Sequence, residues 1–403
     1  MLETQKKLPL AGIRVVEFTH MIMGPTCGMV LGDLGAEVIK VEPLEGDNTR
    51  RLLGSGAGFF PLYNRNKKSI ALDLKSAAGR DVALKLIASA DIVAENFKPE
   101  TMVKLGLDYA AVCIDNPRLI YVSHKGFLPG PYAHRTALDE VVQMMGGLAY
   151  MTGRKGDPVR AGSSVNDMMG GIFGALAALA ALRERDASGK GQLVQSALFE
   201  NNVLLVAQHM MQYAVTGVPA DPMPNRISAW AVYDVFTVKD GEQIFLSAVS
   251  DGQWKTLCDA FGWKDLLHDP RYANNNARVQ WRDSALIPEL RRRFAPFSAQ
   301  ALSDKFEAVG LPFAPIAKPH ELLDDVHLNA SGGLAPITLV DGEKKGHAAK
   351  TALLPFTMDG HRMGVRLNPP RVGEHSRALL EELGIPELEI ANMVAAGNVV
   401  LGE

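Results

Sequence analysis

The segment Ile13–Glu42, IRVVEFTHMIMGPTCGMVLGDLGAEVIKVE, decides the fold of this chain. Ile13–Thr19 is apolar and β-branched and predicts a strand, Thr26–Leu34 predicts a helix, and Ala36–Glu42 predicts a second strand. A strand, a helix and a strand in this order form a βαβ unit with parallel strands. The turn His20–Pro25 lacks the GxGxxG glycines that let a backbone approach a pyrophosphate. We therefore expect a Rossmann-like fold that does not bind a nicotinamide cofactor.

The alternation of strands and helices continues beyond this unit. It predicts strands at Ser69–Leu74, Asp91–Glu95 and Leu119–Ser123, helices at Ala77–Ser89 and Thr101–Asp115, a helix from near Asp167 to about Glu184, and another from about Leu193 to Val215. Such a series is typical of a parallel sheet that helices cover on both faces. The predicted fold class is therefore α/β.

A proline-rich segment divides the chain. Gly217–Arg226, GVPADPMPNR, holds Pro219, Pro222 and Pro224 and breaks regular structure. The residues behind it predict strands at Val232–Val238 and Gln243–Ala248 and helices at Trp254–Phe261 and Leu286–Phe294. We predict a large parallel-sheet domain built from both chain ends, residues 1–217 and 330–403, and a smaller α+β domain at residues 226–319.

The composition argues against several classes of protein. The 403 residues include 42 Lys and Arg against 45 Asp and Glu, a net charge of -3, so no general field attracts nucleic acid or an anionic membrane. The cysteines, Cys27, Cys113 and Cys258, are far apart and form no metal-ligand spacing. Met168–Leu182 is apolar but shorter than the roughly 20 residues of a membrane span. We expect a cytoplasmic protein with no metal, no nucleic-acid partner and no membrane partner.

Asp167 is the first candidate for a chemical role. It ends the segment Gly162–Asp167, GSSVND, at the start of an apolar helix, where serines can cap free N–H groups and the helix dipole favours an acidic side chain. One interpretation is an ordinary capping carboxylate. The other is a nucleophile that the same N–H groups keep ionised. The local sequence leaves both open.

Basic residues follow many of the predicted strands. Because ligands bind at the carboxyl ends of parallel strands, these cations predict a site for a phosphorylated ligand, although any one of them is alternatively a solvated surface charge. They are Arg50, Arg51, Arg65, Lys67, Lys68, Lys75, Lys98, Lys104 and Lys125. His20 and His124 also follow or end strands, and each is either a general base or a hydrogen-bonded structural group.

A series of motifs in a fixed order extends over nearly the whole chain. It includes Leu10–Pro25 (LAGIRVVEFTHMIMGP), Gly32–Pro43 (GDLGAEVIKVEP), Gly46–Arg50 (GDNTR), Asn64–Lys75 (NRNKKSIALDLK), Ala90–Pro99 (ADIVAENFKP), Gly162–Leu182 (GSSVNDMMGGIFGALAALAAL) and Pro369–Gly384 (PPRVGEHSRALLEELG). Each motif is short, but the series is specific, and it resembles the family III coenzyme A (CoA) transferases. The resemblance implies an enzyme that moves CoA from an acyl-CoA to a small carboxylic acid, with CoA as a substrate and no permanently bound cofactor.

The resemblance also implies an interlocked homodimer and a set of site residues. The family's nucleophilic aspartate falls on Asp167, which would form an anhydride and then a CoA thioester, and Glu140 would lie near the reacting centre. Backbone N–H groups near the helix start and at Gly146 and Gly147 would stabilise the oxyanions. The implied contacts to CoA are Met21, Ile22, Met23, Leu72, Asp73, Leu74, Lys75, Asn96, Phe97, Lys98, Lys104, Lys125 and Ala137.

Two alternative functions compete with transfer. An acyl-CoA racemase of the same superfamily would use a histidine directly before an aspartate, but Leu138 stands before Asp139, and leucine cannot carry a proton. A CoA-binding module without catalysis is the other alternative, because a Rossmann-like domain permits it.

The sequence also suggests the substrates. Arg50, Arg51 and Arg226 could supply a cation for a second carboxylate, so we predict C4 or C5 dicarboxylates as acceptors and succinyl-CoA as a donor. The segment Ser247–Trp254 lacks the glycine-run loop of the oxalate-using members, which argues against oxalate.

Overall fold

A parallel sheet is the centre of the structure, a computed structural model that describes residues 8–226 and 228–402. The strands are β1 (Arg14–Phe18), β2 (Glu37–Glu42), β3 (Lys67–Leu72), β4 (Ile92–Glu95), β5 (Ile120–Lys125), β6 (Leu193–Ala197), β7 (Val232–Thr237), β8 (Gln243–Ala248), β9 (Phe313–Pro315), β10 (Leu334–Thr338), β11 (Ala348–Ala352) and β12 (Val399–Val400). Within the described residues, seven of them form one sheet in the order β12-β3-β2-β1-β4-β5-β6. All are parallel except β12, which is antiparallel to β3. The fold is therefore mixed α/β with a large parallel core.

Helices cover both faces of this sheet. The helices of the chain are α1 (Met23–Asp33), α2 (Phe59–Tyr63), α3 (Ala77–Ala88), α4 (Pro99–Leu105), α5 (Tyr109–Val112), α6 (Asp139–Met145), α7 (Leu148–Thr152), α8 (Val165–Ser188), α9 (Leu198–Thr216), α10 (Asp251–Phe261), α11 (Lys264–Leu267), α12 (Asn275–Gln280), α13 (Ile287–Phe294), α14 (Ala299–Ala308), α15 (Val326–Ala330), α16 (Ser376–Glu382) and α17 (Glu387–Ala395). Successive strand residues point to opposite faces of a sheet. Val15 and Ile92 therefore join the core with α1 and α8, whereas Val16 and Val93 join the core with α3, α16 and α17.

The strand order reverses between β1 and β4. From β1 the chain passes through α1 to β2 on one side, whereas β4 and β5 lie on the other side. The loops behind Phe18 and Glu95 are therefore neighbours at the carboxyl edge of the sheet. In open α/β sheets, ligands bind in the crevice at such a switch point.

The chain forms two compact units. One comprises the residues up to Pro224 together with those from Val326 onward, and the other comprises Asn225–Asp325. In the second unit β7, β8 and β9 form an antiparallel sheet, and α13 and α14 contribute Leu290 and Phe306 to its apolar core. The smaller unit thus combines an antiparallel sheet with helices.

Two elements differ from the sequence-based prediction. The helix expected from about Leu193 begins only at Leu198, because residues Leu193–Ala197 form the edge strand β6 and pair with β5. The helix expected over Thr101–Asp115 is divided into α4 and α5. Gly106 separates them in a left-handed conformation with a φ of 67°, which ends the first helix.

Helix α8 is long and apolar enough, by length and composition, to cross a membrane. In the structure it packs on α1, α9, β5 and β6, and Ala175 and Ala178 are buried in the core beneath it. The helix spans 24 residues and is longer than the apolar stretch Met168–Leu182, because polar turns extend it at both ends.

Candidate active site

Most of the predicted CoA contacts lie at the carboxyl edge of the parallel sheet. Met21–Met23 follow β1, Leu72–Lys75 begin at the end of β3, Asn96–Lys98 follow β4, and Lys125 ends β5. Ala137 packs against the residue behind Lys125. The topology therefore brings to one edge residues that are distant in sequence.

The side chain of Asn96 joins the loops behind β1 and β4. Its amide oxygen accepts a hydrogen bond from the backbone N–H of His20 at 3.0 Å, and its amide nitrogen donates to the backbone carbonyl of His20 at 2.8 Å. The imidazole of His20 stacks on Phe97 with 5.6 Å between the ring centres. The side chain of Asn96 therefore fixes the two loops to each other at this edge.

Helix α1 begins at this edge without a side-chain cap. Pro25 has no backbone N–H, so Met23 and Gly24 provide the N–H groups at the start of the helix. The side chains of Ile22 and Met23 are buried. A ligand at this turn would therefore be met by backbone donors rather than by side chains.

Two glycines of α8 bring Asp167 beside this turn. A side chain at Gly171 would collide with the carbonyl oxygen of Met23, and one at Gly170 would collide with the Met23 side chain. Asp167 lies one helical turn before Gly171, on the same face of α8. Both α1 and α8 run away from the carboxyl edge, so the part of α1 nearest to Asp167 is its start, together with the turn that precedes Met23.

The N–H groups at the start of α8 bind Asp139 rather than Asp167. One carboxylate oxygen of Asp139 accepts hydrogen bonds from the backbone N–H groups of Asn166 at 2.8 Å and of Asp167 at 3.3 Å. The other oxygen accepts a hydrogen bond from the side-chain amide of Gln143. Ser164, at the N-cap, makes no side-chain cap. The expectation that these N–H groups keep Asp167 ionised is therefore wrong, because a second carboxylate occupies them.

The pKa of the Asp167 carboxyl group instead lies close to neutral pH. Burial, followed by the negative charges of Asp139 and Glu140, raises its pKa to about 7. Its carboxyl oxygens accept no hydrogen bond from any residue in the described part of the chain. Glu140 lies beside Asp139 on α6 and is paired with Arg160. The structure thus brings the predicted residues Asp167 and Glu140 together and adds Asp139, to which the sequence analysis assigned no role in transfer.

Tyr63 is a second site residue that the sequence analysis missed. It ends α2 in an apolar cluster with Ile22 and Leu354, against which Met168 packs. Burial and the charge of Asp167 raise the pKa of its hydroxyl group to about 12, and among the described residues this hydroxyl has no hydrogen-bond partner. In the sequence Tyr63 is indistinguishable from a core aromatic residue.

Arg50 is not available to bind a substrate carboxylate. Its guanidinium group is buried, binds the two oxygens of Glu42 at 2.9 and 2.7 Å, binds Asp341 at 2.7 Å and stacks on Phe60. The prediction that Arg50 contacts the substrate is therefore wrong, since two carboxylates of the chain already neutralise its charge. Arg51 is exposed and bonds to neutral oxygen atoms.

The remaining predicted cations fall into two groups. Those paired with carboxylates are Arg65 with Asp33, Lys67 with Glu17, Lys68 with Glu37, Lys104 with Glu100 and Lys125 with Glu95. Lys75 and Lys98 are exposed and have no carboxylate partner among residues 8–226 and 228–402. The charges of these two lysines are therefore available to phosphate groups.

Two of the roles considered in the sequence analysis do not fit the structure. His124 is buried against Gly174, its Nδ1 lies 3.1 Å from the carbonyl oxygen of Glu95, and burial lowers its pKa to about 4. It is therefore a structural group rather than a general base. Gly146 donates its backbone N–H to the carbonyl of Val142 at 2.8 Å, so that N–H cannot stabilise an oxyanion.

The described part of the chain contains no group of three or more His, Cys, Asp or Glu side chains that could hold a metal ion. The groups at the edge that can bind a ligand are carboxyl groups, backbone N–H groups, a phenol and lysines.

The fold and the site together define an α/β enzyme with a half-buried carboxyl group near the switch point of a parallel sheet. Residues 10–376 match the family model described as CoA-transferase family III. The chain is 35% identical over 420 residues to an acyl-CoA transferase of Fusarium pseudograminearum, which covers 97% of this chain and 88% of that protein. It is 33% identical over 395 residues to a succinate–glutarate CoA-transferase of Agrobacterium fabrum, which covers 94% of this chain and 96% of that protein.

A solved structure agrees with these similarities. The crystal structure of a CaiB/BaiF family protein from Brucella suis matches with a TM-score of 0.83 at 33% identity, covering 94% of this chain and 100% of that chain. The chain belongs to CoA-transferase family III and is a CoA-transferase.

Proposed function

We propose that this CoA-transferase moves CoA from succinyl-CoA, or a similar acyl-CoA, to a small dicarboxylic acid through covalent intermediates on Asp167. The observation that carries the proposal is the position of the Asp167 carboxyl group, which is half-buried, free of hydrogen bonds from described residues and beside the first turn of α1. The Agrobacterium relative supports C4 and C5 dicarboxylates, because its name gives succinate and glutarate.

The reaction consists of four attacks on carbonyl carbons. The Asp167 carboxylate attacks the donor thioester, which expels the CoA thiolate and leaves a mixed anhydride. The thiolate attacks the Asp167 carbonyl of the anhydride, which gives an aspartyl-CoA thioester and releases the donor acid. The acceptor carboxylate attacks this thioester and expels the thiolate again, and the thiolate then takes the acceptor acyl group and frees Asp167.

The described residues have separate tasks in these steps. The first-turn N–H groups of Met23 and Gly24 are suited to the oxyanion that forms at each attacked carbonyl. The ammonium groups of Lys75 and Lys98 are suited to the phosphates of CoA. The hydroxyl group of Tyr63 is suited to an oxygen of the acyl group, since no described residue occupies it.

We also propose that the protein is an interlocked homodimer. Helices α8 and α9 expose large apolar side chains, with Leu176 56%, Met211 64% and Val215 78% exposed. Several large exposed apolar side chains on two neighbouring helices are typical of an interaction site. A second copy that interlocks with the first would cover it, as the resemblance to the family implies.

Asp167→Asn tests the mechanism, because an amide has the shape of the carboxyl group but is not a nucleophile. We expect transfer from succinyl-CoA to fall by at least about 1,000-fold while CoA still binds. Wild-type enzyme incubated with succinyl-CoA and then borohydride should carry a mass change on the peptide containing Asp167, and the variant should not. Asp186→Asn, an exposed carboxylate near the other end of α8, is the matched control and should keep full activity.

Several outcomes would contradict this assignment. Substantial transfer by a folded Asp167→Asn variant, or an adduct on Glu140, would show that another residue is the nucleophile. Exchange of the 2-proton of a 2-methylacyl-CoA with deuterated water, without CoA transfer, would favour the racemase alternative. Transfer only to monocarboxylic acids would contradict the predicted acceptors but not the transfer itself.

A further inference from the structure

Met21 has a backbone conformation that residues with a side chain rarely adopt. Its φ is 62°, in the left-handed region, where the Cβ atom crowds the backbone. Such a conformation persists only where the surrounding structure holds it. The turn that contains it leads directly into the uncapped start of α1, the part of that helix that faces Asp167.

Three side chains from different segments of the chain hold the backbone of this turn. The ammonium group of Lys40 on β2 donates to the carbonyl oxygen of Thr19 at 2.6 Å. Asn96 binds the N–H and the carbonyl oxygen of His20 at 3.0 and 2.8 Å. The hydroxyl oxygen of Thr49 accepts a hydrogen bond from the backbone N–H of Met21 at 3.0 Å. The peptide group between Thr19 and His20 and the one between His20 and Met21 are therefore each bonded by side chains at the N–H and at the carbonyl oxygen.

Asp47 connects two of these contacts. One of its oxygens accepts hydrogen bonds from the N–H and the hydroxyl group of Thr49 at 2.9 and 2.7 Å, and the other lies 3.0 Å from the ammonium group of Lys40. All three side chains are buried. Burial opposes charge on both ionisable groups, but their mutual attraction raises the pKa of Lys40 and lowers the pKa of Asp47. The Thr49 hydroxyl proton therefore points to Asp47, which leaves its oxygen to accept from Met21.

We propose that Lys40, Asp47 and Thr49 are positioning residues for CoA transfer, which hold the Met21 peptide, and with it the first-turn N–H groups of α1, in place beside Asp167. The inference deepens the proposed function and rests on it, because it requires that the reacting carbonyl meets these N–H groups. None of the three residues needs to touch the substrate. They act through the turn, and a small displacement of oxyanion donors is enough to slow a reaction strongly.

Thr49→Val is the decisive variant, because it keeps the size and the β-branch of threonine and removes only the hydroxyl group. We expect kcat for transfer to fall by about 10- to 100-fold, while the KM for succinyl-CoA changes less than about threefold. Thr49→Ser should restore kcat, and Thr49→Cys, with a weaker hydrogen-bonding group, should give an intermediate value. If Thr49→Val does not fold, the order of the serine and cysteine variants still tests the proposal.

The outcomes separate this proposal from the proposed function. A folded Thr49→Val variant with wild-type kcat, measured alongside an inactive Asp167→Asn variant, would overturn the positioning role alone. A fall in thermal stability with no change in kcat would have the same meaning. If the wild type forms no adduct and transfers no CoA, the proposed function fails instead. The hydrogen-exchange rate of the peptide that spans residues 19–23 still measures how firmly the turn is held. Equal exchange rates in Thr49→Val and wild type would show that the Thr49 hydroxyl group does not hold the turn.

Discussion

Asp139 controls both the geometry and the charge of Asp167. It binds the backbone N–H groups that a helix start would otherwise offer to an ionised side chain, and its own charge lies next to the carboxyl group that has to react. Two carboxylates that share one site raise each other's cost of ionisation. At neutral pH the proposed nucleophile is therefore divided between its protonated and its reactive form.

This arrangement predicts a pH profile for the free enzyme. The value of kcat/KM for succinyl-CoA should rise with pH and level off above an apparent pKa of about 7, because protonated Asp167 cannot attack a thioester. Asp139→Asn keeps an oxygen for the N–H groups of α8 but removes a charge, so it should move the midpoint to lower pH. Initial rates between about pH 5.5 and 9 measure both effects. A midpoint that Asp139→Asn leaves in place would contradict the electrostatic explanation.

The same pKa shift has a consequence for stability. The folded state raises the pKa of Asp167 from 3.8 to about 7, so it binds this proton more tightly than the unfolded state. The contribution of Asp167 to the free energy of unfolding therefore falls as the pH rises through that window. Asp167→Asn cannot ionise, and its Tm relative to wild type should be higher at about pH 8 than at about pH 5. The Tm of Asp186→Asn should differ from that of wild type by the same amount at both pH values. If the Tm difference for Asp167→Asn were also equal at both pH values, the raised pKa of Asp167 would be refuted.

The sequence predicted individual residues better than their partners. Asp167 could be proposed as the nucleophile from its place at a helix start and in a motif, because both signals are local. The bond from Asp139 to α8 was not recognisable, since it joins residues 27 positions apart that only the fold brings together. Arg50 was misassigned for the same reason, because its second carboxylate partner, Asp341, lies 291 residues away.

At the scale of elements, the contact between α1 and α8 sets the position of the site. The two helices approach so closely because Gly170 and Gly171 leave room for the backbone and side chain of Met23. Sequence alone presented these glycines as part of an apolar helix. It did not indicate which helix they would meet, because that depends on the order of the strands.

Gly171→Ala should disturb this contact. The added methyl group meets a backbone carbonyl oxygen, which cannot rotate away, so we expect the free energy of unfolding to fall by about 1–3 kcal/mol and transfer to slow. Gly252→Ala in α10 is the control, since a side chain there meets little and alanine favours a helix, and it should be neutral or slightly stabilising. Chemical denaturation measures both variants. An unchanged midpoint for Gly171→Ala would show that the helices can move apart freely.

Element boundaries were predicted less well than element types. The βαβ pattern over Ile13–Glu42 predicted the strands and helix at the centre of the sheet, because these strands are mostly buried and rich in valine and isoleucine. The edge strand Leu193–Ala197 has exposed residues, so in the sequence it could not be distinguished from the start of the helix that follows it. Burial at the centre of a sheet leaves a clear sequence signal, and an edge does not.

At the scale of the whole molecule, the apolar surface of α8 and α9 predicts association in solution. Sedimentation at low micromolar concentration should show a dimer, and Met211→Glu, which places a charge in the exposed apolar surface, should shift the protein toward monomer and lower its activity. Lys190→Glu, an exposed polar position at the end of the same region, should have neither effect. A fully active wild-type monomer would contradict the proposed assembly.

The short strand β12 can complete the large sheet only at the end of translation. It pairs with β3 at the edge of the large sheet, although translation places more than 300 residues between Leu72 and Val399. The middle unit, Asn225–Asp325, is continuous in sequence and can fold as soon as it has left the ribosome. Until Val399 and Val400 arrive, β3 is an open strand edge, and nascent chains on neighbouring ribosomes can pair there with one another.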